Sequence, residues 1–359
     1  MMSTLRYYLL GRFLATSFFI LLCLLGLYAL FDVFAELGDL GKENYTVGAM
    51  SLYIALLLPA HAYQLMPLIV LIGVLVAMSQ LSKTIEYTAI RVSGVSLAQI
   101  ALTMFWFGLA AAILAMALGE WLMPWAQKTA EMSKLKATGS MVSQTSNTGF
   151  WAKDKQDFIN VRQVNNEGDL NDIRILTYDA QNRLISSTIA QKGHYLPEQQ
   201  AWRLEQVETS LLGDRAIEVI KEKTAIWNTH LQPNILAVLT LEPEQMAAFD
   251  LYQYIQHLKE NNQKTIRYEI ALWRKLFYPF ACVIMALIAL AFTPLNQRHG
   301  EMGTKLFFGI LLGISFHFVN SFFGNLGVQY NWSPAMVATL PSLLFLLAGV
   351  YVIYRQERK

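Results

Sequence analysis

Five stretches of this chain are too apolar and too long to sit in water, and they are arranged on either side of a segment that needs water. Phe13–Phe31 carries no charge and ends at Asp32. Tyr45–Ser82 carries only formally neutral side chains, which is too long for one span of roughly 20 residues. Val92–Gly119 and Leu276–Leu295 are two further runs, and Leu306–Tyr354 has no Asp, Glu, Lys or Arg. Pro59 is expected to break the second run and leave a span near Ala62–Leu81. The turn formers of Asn325–Pro334 split the last run into a hairpin of two helices. The count is six transmembrane helices. A signal peptide is the competing reading of the first run, since Arg6 and Arg12 precede it. The run is long for that purpose, and no small-x-small cleavage site follows at 31–37.

Charge locates the soluble part. Of the 26 acidic residues, nineteen fall within 120–275. There, Phe158–Val164, Ile173–Tyr178, Arg183–Ile189, Trp202–Val207 and Ala216–Ile220 are short and rich in β-branched and aromatic residues. Turn signals separate them at Asn165–Gly168, Asp179–Asn182, Pro197 and Gly213–Asp214. Regular spacing of this kind predicts an all-β, sandwich or jelly-roll-like domain. Pro243 then opens a connecting helix with Met246, Leu251, Ile255 and Leu258 as its apolar face. The expected organisation is helices one to three in 1–121, with a short cytoplasmic helix near 83–94. A β domain follows in 122–242, then a connecting helix in 243–265 and helices four to six in 266–359.

Lys and Arg in the short loops set the orientation. Arg6, Arg12, Lys83, Arg91, Arg298, Lys305, Arg355, Arg358 and Lys359 fall on one side, against Lys42 alone in the opposite short loops. Both termini are expected in the cytoplasm of a bacterial cell and the β domain in the periplasm.

Several chemistries are missing from the pattern. No G-x-x-x-x-G-K-[S/T] phosphate loop occurs, so ATP is not expected to bind this chain that way. The six histidines form no metal-binding spacing, and no metal or cofactor is expected. Gly94-Val-Ser96-Leu-Ala98 lacks the second glycine of a nucleophile elbow. Cys23 and Cys282 lie in apolar runs and suggest no disulfide framework. A net charge of +2 gives no reason to expect nucleic acid. His317 is the one ionisable side chain in the first helix of the last hairpin, and packing as a neutral core histidine is the expected role over a functional one.

What remains points to partners and lipid. Lys83–Gly94 is compatible with a short amphipathic helix closed by Gly94, suited to a groove on a soluble partner or, more plainly, to a solvated connector. Gly309 and Gly313 form a GxxxG pair that permits close helix approach. Phe307, Leu311, Ile314, Phe318 and Phe322 share one helical face, suited either to bulk lipid or to a cavity for acyl chains.

Four motifs carry a resemblance: Glu86-x-x-Ala89-x-Arg91-x-Ser93-Gly94, Gly119-Glu120-Trp121-x-x-Pro124, Gly149-Phe-Trp-Ala-Lys-Asp154 and Gly313-Ile-Ser-Phe316. With them the chain resembles the LptF/LptG permease subunits of the lipopolysaccharide export system, over nearly its whole length. The Gly-Glu-Trp and Trp-Ala-Lys-Asp pieces favour the LptG branch, with LptF the alternative. The resemblance implies a heterodimer with LptF around a V-shaped cavity and a periplasmic β-jellyroll on each subunit. It also implies an LptB ATPase dimer that binds the ATP, and LptC and LptA as recipients of lipopolysaccharide. It implies that Glu86, with Arg91 and Gly94, belongs to the helix that couples to the ATPase. Lys134 matches a basic position that meets lipid phosphates, with Lys42 and Lys136 as neighbours of the same sign. Helices one and five are implied as lateral gates, which gives the Phe307–Phe322 stripe a role in the substrate cavity. One departure is visible: the outer end of helix one is acidic, with Asp32, Glu36 and Asp39, where the LptG branch often carries lysines. The expected function is transport without catalysis in this chain. The alternatives are a membrane enzyme acting on a lipid-linked sugar and a scaffold whose β domain binds peptide.

Overall fold

The computed structural model describes residues 2–42, 44–138, 150–154, 156–164, 169–179, 181, 183–197, 199, 201–213, 216–229, 242–292 and 301–357. The side chain of Lys136, together with Gly149, Asn165–Gly168, Arg298, Arg358 and Lys359, lies outside the described residues.

The membrane part is a helical bundle built on α2 (Val47–Lys83). This helix runs unbroken through Pro59 and Pro67, which corrects the break expected at Pro59. At 1.5 Å per residue it is about 55 Å long, so it extends well beyond a hydrocarbon core of ~30 Å. Most of its apolar length is buried, because α1 (Met2–Glu36), α5 (Met123–Thr138), α8 (Phe280–Ala291) and α9 (Glu301–Tyr330) all pack on it. Small residues permit the closest approaches. A Cβ on Gly73 would fall 2.6 Å from Ser17 Cα of α1. Gly313 of α9 faces Leu68 and Leu71 of α2.

The third span is α4 (Leu97–Ala117), opened by a capping box between Ser96 and Gln99. It passes through a π turn (Leu118–Leu122) into α5, so helix continues to Thr138 and the first strand starts only at Phe150. The fourth span is bent. It consists of α7 (Ile266–Phe277) and α8, at 53° across Tyr278–Pro279. The last hairpin is α9 and α10 (Pro334–Glu357), with its turn narrowed to 331–333. Counting the bent pair as one span, six helices among the described residues are long and apolar enough to cross a membrane.

The inserted domain is one antiparallel sheet of six strands in chain order: β1 (Phe150–Asp154), β2 (Asp157–Val164), β3 (Leu170–Tyr178), β4 (Leu184–Leu196), β5 (Ala201–Leu212) and β6 (Ile217–Trp227). The all-β expectation holds, and among the described residues the strands form a meander. One face carries a core of Ile159, Val161, Leu170, Ile173, Ala190, Trp202, Leu204 and Val207. The inward period of two slips once in β3, β4 and β5. Leu170 and Ile173 are both buried, as are Ala190 and Gly193, and Leu204 and Val207. The slips line up across the sheet, because Ile173 pairs Ala190 and Ala190 pairs Val207. Asp172 and Gln206, at φ 52° and 53°, absorb the change of phase in β3 and β5. A positive φ is uncommon for a residue other than glycine, and here it keeps the same face inward on both sides of the crease.

The chain returns through a 3₁₀ turn (Pro243–Gln245) and α6 (Ala248–Glu260). The Gly119-Glu120-Trp121 motif fixes this return. Glu120 accepts from the Ala248 N–H at the start of α6, at 2.9 and 3.1 Å, and lies 3.8 Å from Lys275 Nζ. Gly119 is needed because a Cβ there would fall 2.5 Å from the Tyr63 ring. The strands are thereby tied to the bundle on both of their flanks.

Candidate functional site

Three groups of candidate residues lie at the N-terminal end of α1, at its C-terminal end, and along α9.

Beside the N-terminal end of α1, α2 stops at Lys83 and Ile85 takes φ 63°, which turns the chain into α3 (Glu86–Val92). Gly94 ends it at φ +90°, the left-handed closure its sequence position suggested. Arg91 turns back, its Nη1 donating to Val95 O at 2.9 Å. Glu86, at the first residue of α3, is held on both oxygens. Tyr8 Oη of α1 donates to Oε2 at 2.5 Å and Thr84 Oγ1 to Oε1 at 2.9 Å. Arg12 Nη2 is 4.0 Å from Oε1. The Tyr8 hydroxyl, then Thr84 and Arg12, hold the Glu86 carboxyl below its ordinary range and keep it ionised. The contact with Tyr8 spans 78 positions of sequence and had no signal in the linear pattern.

At the C-terminal end of α1, the acidic stretch after Phe31 is not free. Lys134 Nζ of α5 lies 2.8 Å from Glu36 Oε1 and 3.2 Å from Asp39 Oδ2. Lys42 pairs with Asp39 at 2.6 Å. Tyr45 donates to the second oxygen of Glu36 at 2.8 Å. Hydrogen bonds from Lys42 and then Lys134 draw Asp39 below the usual carboxylate range, while burial followed by Glu36 raises Tyr45. One turn deeper, His61 Nε2 of α2 lies 2.8 Å from Asp32 Oδ2, with the Tyr28 ring 4.8 Å from the imidazole. Lys134 and Lys42, expected at lipid phosphates, are thus both engaged within the chain. The two lysines meet Asp39 and Glu36 at one corner, so a phosphate reaching Lys134 must compete with two carboxylates.

Along α9 the two faces have separate tasks. Gly309, Gly313, Phe316, Gly324 and Gly327 point inward. Phe316 meets Phe345 of α10 edge to face. The Arg274 guanidinium packs over Gly324 and donates to Asn320 O. The opposite face is open: Phe307, Leu311, Ile314, Phe318 and Phe322 are all exposed, Phe318 at 71%. His317 is exposed beside them rather than packed in the core, which corrects the expected burial. Much of α1 is as open, with Leu14, Phe18, Phe19 and Leu22 all more than half exposed. A cavity of about 290 Å³ near Glu120, lined by Tyr63, Met116, Trp273 and Leu276, is at the low end for even a drug-sized ligand. Among the described residues, no group of three His, Cys, Asp or Glu side chains is placed to hold a metal ion.

These parts define a class: a multi-pass membrane permease subunit, with a β domain inserted between its third and fourth spans. The family model for the lipopolysaccharide export system permease LptF/LptG matches residues 7–355, and the chain belongs to that family. It is 30% identical to the lipopolysaccharide export system permease protein LptG of Haemophilus influenzae, over 99% of this chain and 100% of that one. It is 29% identical to the protein of the same name from Escherichia coli K12, over 95% of this chain and 94% of that one.

Proposed function

We propose that this chain is the LptG-type half of a transporter that lifts lipopolysaccharide out of the inner membrane. In this reading it pairs with LptF, is driven by an LptB dimer that holds the ATP, and passes its cargo through LptC toward LptA. The termini are cytoplasmic and the β domain periplasmic. The observation that carries the reading is the open face of α9. A helix buried on its glycine side presents five large apolar residues outward in one stripe. Exposing acyl chains to water costs about 0.8 kcal/mol per CH₂, so an extracting protein needs an apolar surface of this kind. A second subunit facing that stripe closes it into a cavity. Glu86, Arg91 and Gly94 shape the short helix offered to the ATPase. The family-expected phosphate contact becomes a competition at Lys134, because Glu36 and Asp39 pair with it.

A membrane enzyme on a lipid-linked sugar needs a free carboxylate or histidine at the surface. The nearest acidic group is committed to His61, Lys134 and Lys42, which disfavours that reading. Purification of the tagged chain from native membranes in mild detergent tests the proposal. A stoichiometric ATPase, a second permease subunit and bound lipopolysaccharide are expected. Recovery of the chain alone, with robust ATP hydrolysis of its own, overturns it.

A further inference from the structure

Glu86, read above as the contact offered to the ATPase, is hydrogen-bonded to α1. Glu86 Oε2 takes the Tyr8 hydroxyl at 2.5 Å, and the Arg12 guanidinium stands 4.0 Å from the other oxygen and 5.8 Å from the Tyr8 ring. Tyr8 and Glu86 both remain partly exposed, so a partner's side chain can reach them from the cytoplasm.

The rest of α1 is built as a lever. It is one continuous helix from Met2 to Glu36, with no proline inside it and no charge between Phe13 and Phe31. It packs tightly on α2 at Ser17 and Gly73, where Thr16 Oγ1 also donates to Gly73 O at 2.8 Å. That contact lies about 13 Å along the helix from Tyr8 and about 28 Å from Glu36, at 1.5 Å per residue. A rigid tilt about it moves the outer end roughly twice as far as the inner end. The outer end is held by His61 at Asp32 and by Lys134 and Tyr45 at Glu36, and Ala29 and Val33 pack there against Tyr45, Met50 and Ile54, so a tilt must also loosen that small cluster.

We propose that Tyr8 is a positioning residue that ties the ATPase-docking helix α3 to α1. A basic groove on the ATPase draws Glu86 away from Tyr8 and so tilts α1 at its outer end. The proposal rests on the reading of Glu86 as a docking contact. The exchange is favourable in kind, because a cation–carboxylate hydrogen bond is stronger than one from a neutral phenol.

The test uses the complete complex in lipid nanodiscs, loaded with lipopolysaccharide, with Tyr8→Phe, Glu86→Lys and, as a neighbouring control, Tyr7→Phe. Tyr7 is 77% exposed and takes no part in the contact. Three quantities are read: ATPase retained through purification, lipid released per ATP hydrolysed, and the nucleotide-dependent change in spin-label distance between the outer end of α1 and α5. Tyr8→Phe is expected to retain the ATPase and to release about fivefold less lipid per ATP, within the usual range of coupling energies. It is also expected to lose the distance change, while Tyr7→Phe behaves as wild type. Loss of the ATPase in Glu86→Lys supports the docking contact itself. If Tyr8→Phe keeps both the transport ratio and the distance change, the tie is refuted and docking stands. If Tyr8→Phe sheds the ATPase, Tyr8 is structural and the proposal fails. If Glu86→Lys keeps the ATPase and its coupling, the docking reading falls first.

Discussion

Replacing Gly313 by leucine separates the two faces of α9. A Cβ at this position would lie 2.5 Å from Leu68 Cδ1 and 2.9 Å from Leu71 Cδ2 of α2. Leu71 is fully buried and has no room to retreat. The first added carbon alone forces a repacking of the kind that costs roughly 1–3 kcal/mol, and three further carbons exceed that. The gain from removing a helical glycine, about 1 kcal/mol at most, does not offset it. Gly313→Leu is therefore expected to lose at least ~2 kcal/mol of bundle stability. Phe318→Ala, on the open face, is expected to leave stability within about 0.5 kcal/mol of wild type, as for surface positions without partners. Reversible unfolding of the purified chain in mixed micelles measures both. Equal stability of Gly313→Leu and wild type would refute the packing of α9 on α2. A large loss in Phe318→Ala would refute the open face.

Two further outcomes follow from the same arrangement. Ile314→Asp places a carboxylate on the open stripe, at a depth where aspartate costs about 2.5–3.5 kcal/mol in insertion. The helix is expected to insert, because the rest of it is strongly apolar, while lipid release by the assembled complex fails; normal release moves the substrate path elsewhere. For topology, cysteines at Ser187 and Gln356 are to be labelled from outside intact spheroplasts: label at Ser187 alone is expected, and label at Gln356 alone inverts the proposed orientation.

The spans were legible because exclusion of charge is a linear property. The exceptions mark where it stopped being local. The charge-free fourth run starts at Leu276, just after Arg274 and Lys275, whereas its helix starts ten residues earlier at Ile266, where the sequence places the opening of helices four to six. Both cations are served inside the bundle, Arg274 by Asn320 O and Lys275 by Met246 O and Glu120, so they do not end the segment. Pro59 suggests a break because proline removes a helix hydrogen bond, yet α2 continues through it, packed on by neighbouring helices. Strands were visible from their composition, but their creases at Asp172 and Gln206 depend on partners one strand away. Lys134 looks free in sequence, since the carboxylates that bind it lie 98 and 95 positions earlier, and so does Glu86, whose phenol donor lies 78 earlier.

The central claim is that the open stripe of α9 meets the lipid being moved. Photo-crosslinking amino acids at Phe318 and Phe316, in the full complex within lipopolysaccharide-containing membranes, test it most directly. Phe316 is 3% exposed and packed on Phe345, and Phe318 is 71% exposed. Lipopolysaccharide adducts at Phe318 are expected to exceed those at Phe316 and to fall when ATP turnover begins. Equal labelling at the two positions, or labelling at Phe318 that ignores ATP, would make the stripe an ordinary lipid-facing surface and contradict the account.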